Sequence, residues 1–126
     1  MFFEGYSKIV VDHFMEPRNA GEMLDANGIG KAGDPSCGDA VGIYVKVENE
    51  IVEKCSFVVM GCVGAIASSS MTTVLATGRS VEDAYALTPE EIADALGGLP
   101  EYKIHCSVMG AEALRNAIDD YRSKSR

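Results

Sequence analysis

Val41-Gly42-Ile43-Tyr44-Val45-Lys46-Val47-Glu48, then Asn49-Glu50, then Ile51-Val52-Glu53-Lys54-Cys55-Ser56-Phe57-Val58-Val59-Met60, is the stretch on which the fold turns. Val41, Ile43, Val45 and Val47 recur at period two with Gly42, Tyr44, Lys46 and Glu48 between them, the pattern of a half-buried strand. Asn49-Glu50 is a tight connection, and Ile51, Cys55, Phe57 and Val59 continue the apolar face in a second strand ending at Met60. The two pair as an antiparallel hairpin, and a short strand around Ile29 to Ala32 completes a three-stranded sheet with one face to cover.

Helices supply the cover. Upstream, Tyr6, Ile9, Val10, His13 and Phe14 fall at helical spacing, and Pro17 disfavours helix at Glu16. Residues 16–33 are rich in glycine and polar side chains and read as an irregular connection. Downstream, Ala67, Met71, Val74 and Leu75 trace one helical stripe with Gly78 as its stop, and Ser80-Val81-Glu82-Asp83 opens a short turn. Thr88-Pro89-Glu90-Glu91 is a capping box, with Ile92, Ala93 and Leu96 inward and Gly97-Gly98 as the end. A last helix runs from about Ser107 to Tyr121, with Gly110, Leu114, Ala117 and Ile118 inward. Strands early and helices late predict an α+β fold, a small antiparallel sheet packed against helices, in one domain over residues 1–126.

The composition narrows the function. Of 126 residues, 47% are apolar, enough for a modest core. With 11 basic against 19 acidic residues the net charge is -8, which argues against nucleic acid as a partner. No apolar run approaches the roughly 20 residues that span a bilayer, and Met1-Phe2-Phe3-Glu4 lacks a signal-peptide pattern, so the expected location is cytoplasmic. In a reducing compartment Cys37, Cys55, Cys62 and Cys106 point to metal or sulfur chemistry rather than to disulfides.

Position sorts these cysteines. Cys55 shares the apolar face of its strand and is expected to be structural. Cys37 lies in the turn Gly33-Asp34-Pro35-Ser36-Cys37-Gly38-Asp39, Cys62 lies between a strand end and a helix starting near Ala65, and Cys106 follows His105 at the start of the last helix. Helix starts favour thiolate over thiol, so Cys62 and Cys106 are expected to ionise readily. Three soft ligands with Asp39 and His105 as candidates for a fourth position make a mixed site, weakly attached at one corner. On spacing alone, zinc, iron and a Cys-His nucleophile all remain open, though adjacent residues at a helix start diverge and disfavour the nucleophile. Asp12 and His13 read as structural, and Ser68-Ser69-Ser70 as helix packing or back-bonding. Lys103 reads equally as a partner of a thiolate and as a solvated charge.

Four segments, in order, resemble the iron-sulfur cluster assembly scaffolds of the IscU and NifU N-terminal type. They are Tyr6 to Phe14 with Pro17-Arg18-Asn19, the Cys37 turn, Gly61-Cys62 with Ala65-Ile66-Ala67-Ser68-Ser69-Ser70, and Lys103-Ile104-His105-Cys106-Ser107. The resemblance implies an α+β scaffold on which Cys37, Cys62 and Cys106 hold a [2Fe-2S] cluster with Asp39 or His105 in the remaining position. It implies a non-catalytic carrier: a cysteine desulfurase delivers persulfide sulfur to Cys106 at its accessible helix start, Fe2+ is captured by the thiolates and Asp39, and the cluster passes to recipient apo-proteins. Asp39 is then the residue that keeps the cluster labile.

The rival implication is a zinc-binding sulfur acceptor that activates the desulfurase. Zn2+ is also expected in the empty site of the scaffold. A site near the surface suits a homodimer that shields it as well as a monomer bound to its sulfur donor. Two departures stand out. Asp34 replaces the family's usual Asn, and Leu99-Pro100-Glu101-Tyr102-Lys103 differs from the Leu-Pro-Pro-Val-Lys segment that engages a heat-shock chaperone. The insertion typical of the zinc-dependent SufU branch is missing between Cys62 and Cys106.

Overall fold

In a computed structural model, residues 5–34 and 38–124 are described. Their elements are α1 (Lys8–Met15), β1 (Gly28–Asp34), β2 (Asp39–Glu48), β3 (Ile51–Met60), α2 (Val63–Ala76), α3 (Val81–Tyr85), α4 (Pro89–Ala95), a 3-10 turn (Glu101–Lys103) and α5 (Ile104–Lys124). The strands form one antiparallel sheet in the order β1-β2-β3, as the hairpin pattern requires. Asn49 and Glu50 both adopt positive φ, which matches the right-handed twist of the two strands they join. Val41, Ile43, Val45 and Val47 are all buried against the helices.

The second strand departs from the simple alternation. Lys46 pairs with Lys54 but Val47 pairs with Val52, leaving Glu53 as an extra residue in a bulge. The phase shifts there, so Val52 is buried and Ile51, expected inward, is 38% exposed. Beyond the bulge Cys55 and Phe57 are buried as their alternation requires, and Val59 is half-buried.

α2 also differs from its expected stripe. It is enclosed on nearly every side, with Ser68, Ser69, Ser70, Thr72 and Thr73 all buried and Val74 turned outward. Several of its hydroxyls meet the resulting polar demand by bonding back along the helix, while the buried Ser68 Oγ has no hydrogen-bond partner among the described residues. Ser69 donates to the Ala65 carbonyl at 2.8 Å and Thr72 to that of Ser68 at 2.7 Å. Ser70 instead ties α1 to α2: its Oγ accepts the Arg18 backbone N–H at 2.9 Å and lies 2.8 Å from Nδ1 of the buried His13. The capping box at Thr88 and Glu91 forms as expected.

α5 starts at Ile104, three residues before the expected start. It crosses β1 at close range because Gly30 carries no side chain: a Cβ there would collide with the helix backbone at Ala113, Asn116 and Ala117. The same helix seals the free edge of β1. Asp120 Oδ2 accepts the Ile29 N–H at 2.9 Å, and Asn116 Nδ2 donates to the Lys31 carbonyl at 2.8 Å. On the opposite edge, Phe57 N–H donates to the Asn19 carbonyl at 3.0 Å and its carbonyl accepts from Gly21 at 2.7 Å.

Two outcomes are expected. Gly30→Ala should lower unfolding free energy by at least about 2 kcal/mol in urea titrations, because the added carbon meets helix backbone that cannot rotate away. Burial, and then the Arg18 charge, push the His13 pKa below its ordinary value of 6.5, against a smaller upward pull from Asp12. The folded chain therefore holds His13 neutral while the unfolded chain takes up the proton first, so stability falls as the pH drops through and below 6.5. Denaturant melts at about pH 7.5 and about pH 5.5 should show a smaller acid loss for His13→Gln than for the parent chain.

Candidate metal centre

The register of the sheet brings the first two donors together. Ala40 pairs with Met60, so the start of β2 and the end of β3 lie side by side, and Gly61-Cys62 emerges next to Asp39. Cys62 is the N-cap of α2, with extended backbone and no side-chain capping bond, so its sulfur is left to face the site. The helix begins at Val63, two residues earlier than expected, which places Cys62 at the helix terminus itself. Cys106 is the third residue of α5, inside the first turn.

The donor atoms of Asp39, Cys62 and Cys106 all lie within 4.8 Å of one another. Cys62 Sγ is 3.5 Å from Asp39 Oδ2 and 4.0 Å from Cys106 Sγ. His105 Nε2 lies 3.7 Å from Cys106 Sγ and 3.9 Å from Asp39 Oδ2. These separations are close to the roughly 3.8 Å edge of a tetrahedron whose vertices sit about 2.3 Å from a central ion. Asp39, Cys62 and Cys106 are close enough together to share a zinc or ferrous ion, and His105 lies beside two of the three. Cys37 lies outside the described residues.

Two expectations need correction. Adjacent His105 and Cys106 do not diverge: the imidazole folds back to within 3.7 Å of the sulfur. And Cys106 does not stand open at its helix start, being only 1% exposed. Burial, then the neighbouring Cys62 and Asp39, raise its thiol pKa well above the ordinary value, so the helix terminus does not make this sulfur a ready thiolate. A cation brought among these donors would reverse that balance. Cys55 behaves as the strand pattern predicts, buried with its thiol pushed up to about 12 by desolvation alone.

Lys103 finds its partner on another element. Its Nζ donates to Cys62 Sγ at 3.3 Å, and that bond holds the ammonium pKa above its usual value. Its position three residues before Cys106 gave no sign of this, because the side chain reaches past α2's first turn to Cys62. Gly64 leaves the space: a Cβ there would lie 3.2 Å from Cys106 Sγ and 3.7 Å from the Lys103 stem. No helix among the described residues is long and apolar enough to cross a membrane.

Comparison with known proteins agrees with this architecture. The chain is 49% identical over 120 residues to the iron-sulfur cluster assembly scaffold protein IscU 1 of Archaeoglobus fulgidus, covering 95% of this chain and 78% of that protein. It is 44% identical over 123 residues to the protein of the same description from Escherichia coli, covering 94% and 95% of the two chains. The crystal structure of the N-terminal part of a nitrogen-fixing NifU-like protein from Brucella abortus superposes with a TM-score of 0.75, covering 94% of each chain at 18% identity, and so shares the fold. The family model of the NifU-like N terminal domain matches residues 5–126. The chain belongs to the NifU-like N terminal domain family, which the four sequence segments and the α+β sheet both indicate.

Proposed function

We propose that this chain is a scaffold on which iron-sulfur clusters are built and from which they are released. The observation that carries the reading is the convergence of Asp39, Cys62 and Cys106 within 4.8 Å, from segments far apart in sequence, with His105 beside them. Kinship with proteins named as cluster assembly scaffolds supports it. Cys37 joins the ligand set by its place in the turn before Asp39. Two thiolates and a carboxylate suit Fe2+ on arrival, and the hard oxygen among soft sulfurs leaves one corner of a [2Fe-2S] cargo weakly held.

Sulfur comes as the outer atom of a persulfide on a cysteine desulfurase. Once the donor has uncovered it, Cys106 loses its proton to solvent and its thiolate attacks that atom; the donor's S–S bond breaks, and the donor cysteine leaves as a thiolate. Two electrons from an external thiol or electron-carrier protein then cleave the new Cys106 S–S bond, releasing sulfide and regenerating the thiolate. Because Cys106 is buried, this step requires the donor to displace the start of α5. No bond of a substrate is turned over for its own sake, so the role is that of a carrier, with recipient apo-proteins as the destination. The closeness of Asp39, Cys62 and Cys106 equally suits a single Zn2+, the basis of the rival reading as a zinc-dependent sulfur acceptor.

Anaerobic reconstitution with iron, cysteine and a desulfurase separates these readings, since the cluster absorbs visible light and zinc does not. Colour should develop in the parent chain, be lost in Cys37→Ser, Cys62→Ser and Cys106→Ser, and persist longer in Asp39→Ala during transfer to an apo-ferredoxin. A parent chain that stays colourless but binds zinc would establish the rival. In the metal-free chain, iodoacetamide should label Cys62 at least about tenfold faster than Cys106, as mapped by mass spectrometry, because Cys62 is the more exposed sulfur. Adding the desulfurase should narrow that gap by baring Cys106.

A further inference from the structure

The carboxylate of Asp39 has a seat, and the seat is an absence. A Cβ built on Gly61 would lie 2.6 Å from Asp39 Oδ1, 2.9 Å from its Cγ and 3.1 Å from the Ala65 Cβ. Gly61 does not adopt the left-handed backbone that favours glycine, so its conformation is open to any residue and only the space above it is restrictive. Asp39 is buried, at 6% exposure, and its Oδ2 faces Cys62 Sγ at 3.5 Å and His105 Nε2 at 3.9 Å. One carboxylate oxygen thus rests on Gly61 while the other points among the donors.

We propose that Gly61 is a positioning residue for the metal centre: the missing side chain lets the Asp39 carboxylate settle against Gly61 at the start of α2, with Oδ2 within 4.8 Å of both sulfurs. Any side chain at this position lifts the carboxylate and opens the hard corner of the site. The inference rests on the reading of Asp39 as a donor. Rigid packing around it is what makes a shift of this size matter, since ligands in metal sites are held by the groups behind them. The Ala65 Cβ, at 3.1 Å, would need to give by only a few tenths of an ångström to admit an added carbon. A carboxylate oxygen at 2.6 Å has to move.

The test is a cycle of four metal-free chains titrated with cobalt(II) alone: parent, Gly61→Ala, Asp39→Ala and the double variant. Affinity is measured by chelator competition, coordination by the ligand-field bands, and folding by thermal melting. Gly61→Ala should weaken cobalt binding on the order of tenfold and move the bands toward those of Asp39→Ala. In the Asp39→Ala background the same substitution should change affinity by less than about twofold, because the carboxylate it displaces is gone.

Unchanged affinity and bands in Gly61→Ala overturn the seat, as does an equal loss in both backgrounds. Cobalt binding insensitive to Asp39→Ala overturns the reading of Asp39 as a donor and the seat with it. If Gly61→Ala does not fold, recovery of folding in the double variant supports the collision, and failure of both places the cost elsewhere and overturns it.

Discussion

Two helices that begin beside each other impose the main constraint on this molecule. Cys62 at the start of α2 and Cys106 in the first turn of α5 stand 4.0 Å apart, although the intervening chain includes α2, α3, α4 and the 3-10 turn. Holding two sulfurs at that separation requires both helices to be fixed along their whole lengths. α5 is fixed by its close crossing of β1 at Gly30, and α2 by enclosure on nearly all sides. Asp39 is supplied by the neighbouring strand start, whose position follows from the pairing of Ala40 with Met60. The centre is therefore a product of tertiary packing, and its rigidity is borrowed from the core.

The electrostatics of the site follow from the same packing. Burial that brings the donors together also removes water from them, which is why Cys106 holds its proton more tightly in the metal-free chain. Lys103 supplies a compensating positive charge at Cys62, the more exposed of the two sulfurs. An arriving metal ion would supply much more. The two cysteines are thus unequal in the empty site, one partnered by an ammonium group and reachable, the other protonated and covered. That inequality makes Cys62 the sulfur that an arriving cation meets first.

Local patterns in the sequence carried the sheet, the turn at Asn49-Glu50, the capping box at Thr88 and the structural role of Cys55. Each depends on contacts within a few residues or on alternation along a strand. The bulge at Glu53 was not visible, since Ile51 and Val52 are equally apolar and only pairing with Val47 decides which faces inward. Enclosure of α2 was obscured by its serines and threonines, of which Ser69, Thr72 and Thr73 bond to carbonyls of their own helix and so cost less to bury. The candidate ligands Asp39, Cys62, His105 and Cys106 could be picked out by residue type and turn context. Their accessibility could not, because the covering of Cys106 depends on Gly64, Lys103 and the approach of another helix.

The sealing of both sheet edges has a consequence for how this domain meets other molecules. Asp120 and Asn116 take up the Ile29 N–H and the Lys31 carbonyl on the outer side of β1, and the segment at Asn19 to Gly21 takes up both backbone groups of Phe57 on β3, so a strand laid alongside either edge meets groups that are already paired. That favours recognition through side chains and surface shape, which can be engaged and let go without breaking a hydrogen-bond ladder. Contacts of that kind suit brief encounters better than permanent attachment.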